Sequence, residues 1–294
     1  MKPTKNLQQS IALIAVLLTI ACDNEKDNST ILKENGNVST EKVATTKESL
    51  TTNNGDTLVC VNYESATLNS GITGLTTTHA IATDASYIVS PGRTGNYAIA
   101  HKVTIGDMGY FSDNNWRSES ATDQLATGKF TRGDERRYEC SLLLKDWTPY
   151  TAGMSQAGDI IFQGKLGGGG NPAFYFMTKR NSIVFRMPNN NLQQTIIADF
   201  RPYINQWIDF RIDVKWEDGS TGYYKVYCKK PAQSTYTLIW QADNFHTFLP
   251  DNPNAVSGYN KWGLYRVDQS LANGDVPTRI IYHDNIRIIK LPLQ

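Results

Sequence analysis

Ten consecutive residues, WIDFRIDVKW at 207–216, put Ile208, Phe210, Ile212, Val214 and Trp216 on one side of an extended chain and Asp209, Arg211, Asp213 and Lys215 on the other. A two-residue period sustained this long does not suit a helix, whose apolar positions recur every three or four residues. It describes a strand with one face in a core and the other in water. The segment EDGSTGYY, 217–224, follows with Asp-Gly and a further Gly, a turn composition that joins the strand to YYKVYCKK as a hairpin. Comparable runs recur from about residue 57 onward: TLVCVNYE, SYIVS, NYAIAHKVTI, RRYECSLLLK, DIIFQGKL, AFYFMT, SIVFRM, TLIWQ, KWGLYRV and RIIYHDNIRIIKL, separated by Gly, Asn, Asp and Pro. No amphipathic helical pattern competes with them.

A dozen strands over residues 57–294 predict an all-β domain, a single two-sheet antiparallel β-jelly roll of the concanavalin A-like sandwich type. With 40% apolar residues the chain can bury such a core. No internal repeat or second-domain boundary interrupts it. The glycines of KLGGGGNP lack a following Lys-Ser/Thr and open no helix, so they read as a mobile hairpin or loop, in a position to flank a groove, and not as a phosphate cradle.

The N-terminal end has a different character. Lys2 and Lys5 precede the apolar run IALIAVLLTIA and then Cys22, the order of a secretory signal. The run of about eleven apolar residues is short of the ~20 that span a bilayer. Residues 1–21 resemble a bacterial lipoprotein signal in which Cys22 becomes the lipidated first residue, although Thr19 stands where leucine is commonest and Leu18 lies one place early. Residues 22–56 are expected to be a lipidated flexible tether: 15 of the 34 residues after Cys22 are Ser, Thr or Asn, and none is aromatic, so the segment has little to offset its ordering entropy. The start CDNEKD also resembles surface-export signals of Bacteroidetes-type lipoproteins. The expected location is the outer membrane, facing the periplasm or the cell surface.

The net charge of +1, with no long Lys/Arg run, argues against a nucleic-acid partner. Cys60, Cys140 and Cys228 match no zinc spacing and read as buried small hydrophobes, with one disulfide left open by an oxidising compartment. His79, His101, His246 and His283 likewise show no ligand spacing. His101 shares a strand face with Tyr97, Ile99, Val103 and Ile105 and is expected in the core or an interface; His283 is expected to be structural. Asp284 and Asn285 could cap a turn or ligate calcium. No E-x-D-x-x-E run of the jelly-roll glucanase kind occurs.

Three polar strands remain: WRSES, DIIFQGKL and KWGLYR. Period-two geometry pairs Arg117 with Glu119, Gln163 with Lys165, and Lys261 with Tyr265. Each pair alone is what an ordinary solvated rim would show. Their order along the chain, between NYAIAHKVTI, RRYECSLLLKDWTP and WIDFRIDVKW with its hairpin, resembles polysaccharide lyases of the heparin lyase I type and their alginate and glucuronan lyase relatives, over roughly residues 70–290. In that resemblance WRSES stands for the Arg-x-Glu strand, DIIFQGKL for the Gln-x-His strand and KWGLYR for the Lys-x-x-x-Tyr strand. Lys165 occupies the position of the family's catalytic histidine.

The resemblance implies β-elimination on a uronate-containing polysaccharide by a monomer that requires no cofactor; a structural calcium is left open, with no ligand set assignable. Tyr265 is expected to be the acid, with a share in the base role left open. Lys165 is expected to be the base, or to support carboxylate neutralisation, or to mark a lost activity. Arg117 and Gln163 would bind the uronate carboxylate, and Lys261, Glu119 and Arg266 would contact substrate around them. Arg117 or Lys165, not Lys261, is expected to be the positive neighbour of the phenol. The alternative is a non-catalytic carbohydrate-binding surface lipoprotein of the same fold.

Overall fold

The computed structural model describes residues 55–155 and 158–292. The signal segment, Cys22 and the tether through residue 54 lie outside the described residues. In chain order the strands are β1 (Asp56–Val61), β2 (Ser86–Val89), β3 (Ala98–Thr104), β4 (Phe111–Ser112), β5 (Asn115–Ala121), β6 (Phe130–Thr131), β7 (Glu135–Lys145) and β8 (Asp159–Leu166). They continue as β9 (Pro172–Lys179), β10 (Ser182–Met187), β11 (Leu192–Ile197), β12 (Trp207–Lys215), β13 (Gly222–Lys229), β14 (Thr237–Phe245), β15 (Ser257–Arg266) and β16 (Thr278–Lys290).

These strands form two antiparallel sheets packed as a jelly-roll sandwich. One runs β14-β13-β12-β7-β16-β3-β2, with β1 also on β16; the other runs β11-β10-β9-β8-β15-β5-β4, with β6 also on β15. The long strand β16 serves β3 along residues 278–283 and β1 along residues 286–290. Between them Asn285 takes a left-handed φ of 51°. Asp284 there accepts the backbone N–H groups of Arg93 at 2.8 Å and Thr94 at 3.2 Å, so it caps the turn that leads into β3.

β12 follows its alternation. Ile208, Phe210, Ile212, Val214 and Trp216 are buried between the sheets, where Trp216 stacks on Phe130 with ring centres 3.8 Å apart. The opposite face carries cross-strand ion pairs, Arg137 to Asp213 at 2.7 Å and Arg211 to Glu139 at 2.8 Å. Partly exposed pairs of this kind are worth only about 0.2–1 kcal/mol each, so core packing supplies the stability of the strand.

Cys140 and Cys228 are free, buried thiols, each opposite Phe210 from a neighbouring strand. His101 and His283 are both fully buried, ring against ring at 5.6 Å. A ring nitrogen of His101 lies 3.0 Å from the Ser120 hydroxyl, and His283 donates to the Ile161 carbonyl at 3.0 Å. Burial pushes both imidazoles down, His283 to about 3, so they sit in the core as neutral rings. Among the described residues no group of three or more His, Cys, Asp or Glu is placed to hold a metal ion.

Candidate active site

The strands β8, β15 and β5 are neighbours in that order, and their register brings the three polar pairs together. On β15, Tyr259 lies opposite Lys165, Lys261 opposite Gln163, and Tyr265 opposite Arg117. Residues directly opposite one another share a face of the sheet. That face points away from the inter-sheet core: Trp262 and Leu264, between Lys261 and Tyr265, belong to the core, whereas Tyr265 packs on a separate apolar cluster of Ile160, Tyr175, Met177 and Val184.

The close approach of β5 and β15 depends on Gly263, which has φ +144°. A Cβ there would stand 2.2 Å from the Ser118 carbonyl oxygen and 2.7 Å from the Glu119 Cα, so only glycine admits this backbone contact. Nearby, the four residues of β15 from Trp262 to Tyr265 run opposite the three of β8 from Phe162 to Ile160, a bulge that re-aims the end of the strand.

Tyr265 is half-buried. Its phenolic oxygen accepts from the Asn115 amide at 3.0 Å, and the Arg117 guanidinium lies over its ring, 4.3 Å from the centre. Burial raises the phenol above its ordinary value and Arg117 only partly offsets this, so the hydroxyl keeps its proton at neutral pH. With the oxygen engaged by Asn115, that proton is free to be donated outward. Arg117, not Lys261, is the positive neighbour, as the spacing implied. The net rise leaves the phenol protonated and able to donate at neutral pH.

Arg117 is nearly covered. It pairs with the exposed Asp113 at 3.2 Å, and its Nε is buried with no partner among the described residues. Burial first, then the charges of Lys261 and Arg117, lower the Lys165 ammonium. Lys165 Nζ donates to the Gly170 carbonyl. That carbonyl belongs to the glycine loop, whose residues 168–170 all take left-handed φ values and whose Asn171 N–H is held by Asp251 at 2.5 Å.

Several substrate contacts expected from the sequence are corrected here. Glu119 is 1% exposed, and both its oxygens are occupied, by the Gln163 amide at 2.6 Å and the Lys261 ammonium at 2.7 Å. It is an internal counter-charge and not a sugar contact. Gln163 and Lys261 lie in the floor of the site, but the first claim on each is this carboxylate, because a buried charge must be compensated. Arg266 points to the other side of β15. It is fully buried, donates to Asp159 at 3.2 Å, to Gln269 at 2.7 Å and to the Val276 and Pro277 carbonyls, and cannot reach substrate. A cavity of about 20 Å³ near this ionic knot, lined by Trp147, Asp159, Gln269 and Arg279, is only water-sized.

Three residues on or beside the site face escaped the sequence reading. Asn115 extends the Asn115-x-Arg117-x-Glu119 alternation by one step, and Tyr259 extends Lys261 and Tyr265 upstream; both were accessible from periodicity. His79 was not. It lies on an irregular segment pinned along the outer edge of β5, where Thr76 and Ala121 exchange backbone hydrogen bonds.

The fold defines a class, the two-sheet antiparallel β-jelly roll. Within that class the chain belongs to the polysaccharide lyase family, whose model matches residues 62–287. Among solved structures it is similar to the endo-β-1,4-glucuronan lyase of the fungus Trichoderma reesei, at 17% identity and a TM-score of 0.51, covering 74% of this chain and 92% of that one. It is also similar to a marine alginate lyase from Aplysia kurodai, at 13% identity and a TM-score of 0.51, covering 80% and 99%. The binding domain of Paraclostridial Mosquitocidal Protein 1 shares the fold at 14% identity and a TM-score of 0.50, covering 81% of this chain and 50% of that one. No curated protein matches the sequence. Identities this low speak to the fold alone.

Proposed function

We propose that this chain cleaves a uronate-containing acidic polysaccharide by β-elimination, with Tyr265 as the acid that protonates the departing glycosidic oxygen. The observation that carries this is the phenol itself: protonated, outward-facing, oriented through its oxygen by Asn115, and set under the guanidinium of Arg117. Elimination needs the uronate carboxylate neutralised, a base for the proton on the carbon bearing it, and an acid for the leaving group.

Arg117 is the group suited to the carboxylate. Its ionic partner among the described residues, Asp113, has a side chain 80% exposed and can be displaced by a carboxylate. Lys261 contributes less charge than its sequence position suggests, because Glu119 offsets it. Lys165, partly desolvated and held on the glycine loop, supports the anionic substrate from the far strand. A second reading, a non-catalytic binder of acidic glycans, is favoured by lysine standing where the related lyases carry histidine.

The pattern of residues 1–22 supports anchoring through a lipidated Cys22 at the outer membrane. The test of the activity is incubation with alginates, glucuronans and heparin-like glycans. A lyase releases chains ending in an unsaturated uronide that absorbs in the ultraviolet; binding without that signal across the panel selects the second reading.

A further inference from the structure

The face that carries Arg117 and Tyr265 does not end at β8. Register continues it across three more strands: Lys261 of β15 lies opposite Gln163 of β8, Gln163 opposite Tyr175 of β9, Tyr175 opposite Arg186 of β10, and Arg186 opposite Gln193 of β11. Residues directly opposite one another share a face of the sheet. The alternate residues of β10, Ile183, Phe185 and Met187, lie in the inter-sheet core, so Arg186 points out over the same floor as Tyr265. From β5, which holds Arg117, to β10 there are four strand spacings, roughly 19 Å between backbones.

The charges along this stretch are one-sided. PAFYFMTK, SIVFRM and LQQTII, the sequences of β9, β10 and β11, contain Lys179 and Arg186 and no Asp or Glu. Both cations are half-buried and are met by neutral groups: Arg186 hydrogen-bonds the Tyr175 phenol, and Lys179, in step with Tyr175 and Met177, donates to the Gln193 amide oxygen at 3.1 Å. Asp199, just past β11, is taken up by Arg201 at 2.7 Å, and Asp251, beside the glycine loop, by the Asn171 N–H. The outer face of the opposite sheet is built differently, with Arg137 on Asp213 and Arg211 on Glu139. Like charges gathered on a face that only meets water repel one another; along a groove that holds a polyanion they complement it.

We propose that Arg186, positioned by Tyr175, binds a second carboxylate of the polymer, several sugar rings away from the uronate held at Arg117, with Lys179 and Gln193 supporting the chain beyond it. The assignment rests on the acidic-polysaccharide substrate proposed above and adds the length of chain that the protein recognises. On its other side β5 borders only the two-residue β4, so the groove runs mainly to one side of Tyr265 and the long arm of the substrate lies over β8 to β11. A guanidinium meets a carboxylate through charge-assisted N–H donors, a contact that salt screens at a half-exposed site. A neutral glycan offers Arg186 no such partner, and an acidic chain too short to leave Arg117 does not reach it.

The test measures affinity by titration calorimetry on the full chain carrying Tyr265→Phe, so that bound sugars stay intact. The probes are disaccharides and octasaccharides of alginate and glucuronan, and the same octasaccharides with their carboxyls reduced. Adding Arg186→Met, which keeps the aliphatic stem, should weaken the acidic octasaccharide about 10-fold at low salt, less at high salt, and leave the disaccharide within about twofold. Arg186→Lys should recover part of the loss, which a fold defect would not allow. Equal weakening of disaccharide and octasaccharide, equal weakening of the carboxyl-reduced chain, or an acidic octasaccharide held within about twofold of the parent would overturn the subsite. Release of unsaturated uronide by the wild-type chain separates this from the lyase function. Arg186-dependent binding with no release removes the lyase and keeps the subsite; release with octasaccharide affinity indifferent to Arg186 removes the subsite alone; no binding of any acidic octasaccharide removes both.

Discussion

Removing the Glu119 carboxylate should unbalance the floor of the site. Lys261 and Glu119 meet at 2.7 Å with side chains only 7% and 2% exposed, and Gln163 donates to the same carboxylate at 2.6 Å. Truncating one member of a buried ion pair costs about 3–5 kcal/mol, because the surviving charge is left uncompensated. The stranded Gln163 amide adds about 1–3 kcal/mol. Lys261 lies toward the outer face and can recruit some water, which pulls the total toward the lower end. Glu119→Leu should therefore cost about 4 kcal/mol, or roughly 8–16 °C in Tm for a domain of this size. Adding Lys261→Met should recover a large part of that loss, because the orphaned ammonium disappears. Urea denaturation of both single variants and the double variant gives the coupling directly. A Glu119→Leu protein within 1 kcal/mol of wild type, or strictly additive variants, would refute an internal counter-charge at this position.

Two further outcomes follow from the same geometry. Gly263→Ala must push β15 away from the Ser118 carbonyl and adopt an unfavourable φ, so it should cost about 1–3 kcal/mol and depress turnover further by shifting Tyr265 against Arg117; an unchanged melting temperature would contradict this. His283, lowered to about 3 by burial, should stay neutral by NMR from pH 7 down to pH 5, and protonation near 6 would contradict its setting. Because the folded value lies below the unfolded one of about 6.5, its contribution to stability is complete above about 6.5 and is lost as the pH falls toward 3, by at most about 1.4 kcal/mol per pH unit. Asp284, pushed up by burial to about 7 against its backbone donors, acts in the opposite sense between about pH 4 and 7, so the ring itself and not global stability is the quantity to follow.

Period-two patterning made most of the fold legible, because a strand with one buried face must repeat its chemistry at every second residue. DIIFQGKL and SIVFRM coincide with β8 and β10, and WIDFRIDVKW exceeds β12 by one residue. LQQTII, β11, went unread because this edge strand buries only Ile196 and Ile197. The convergence of Arg117, Gln163, Lys165, Lys261 and Tyr265 was legible through their faces and order. Their partners were not, because pairing across strands follows from register. Alternation put Glu119 beside Arg117, but only the register of β5, β15 and β8 shows it neutralising Lys261. Arg266 misled for a related reason: it adjoins Tyr265 in sequence, and neighbours on a strand point to opposite faces. His79 carried no periodic signal, since its position depends on contacts that pin an irregular segment to a distant strand edge.

The most direct measurement is the rate of unsaturated uronide release by wild type and Tyr265→Phe, with oligosaccharide affinity measured on both. Loss of the phenolic proton should slow release by about 10²-fold or more while affinity stays within a few fold, since the ring and its guanidinium neighbour remain. A phenylalanine variant that works at the wild-type rate would contradict Tyr265 as the acid and the site built around it.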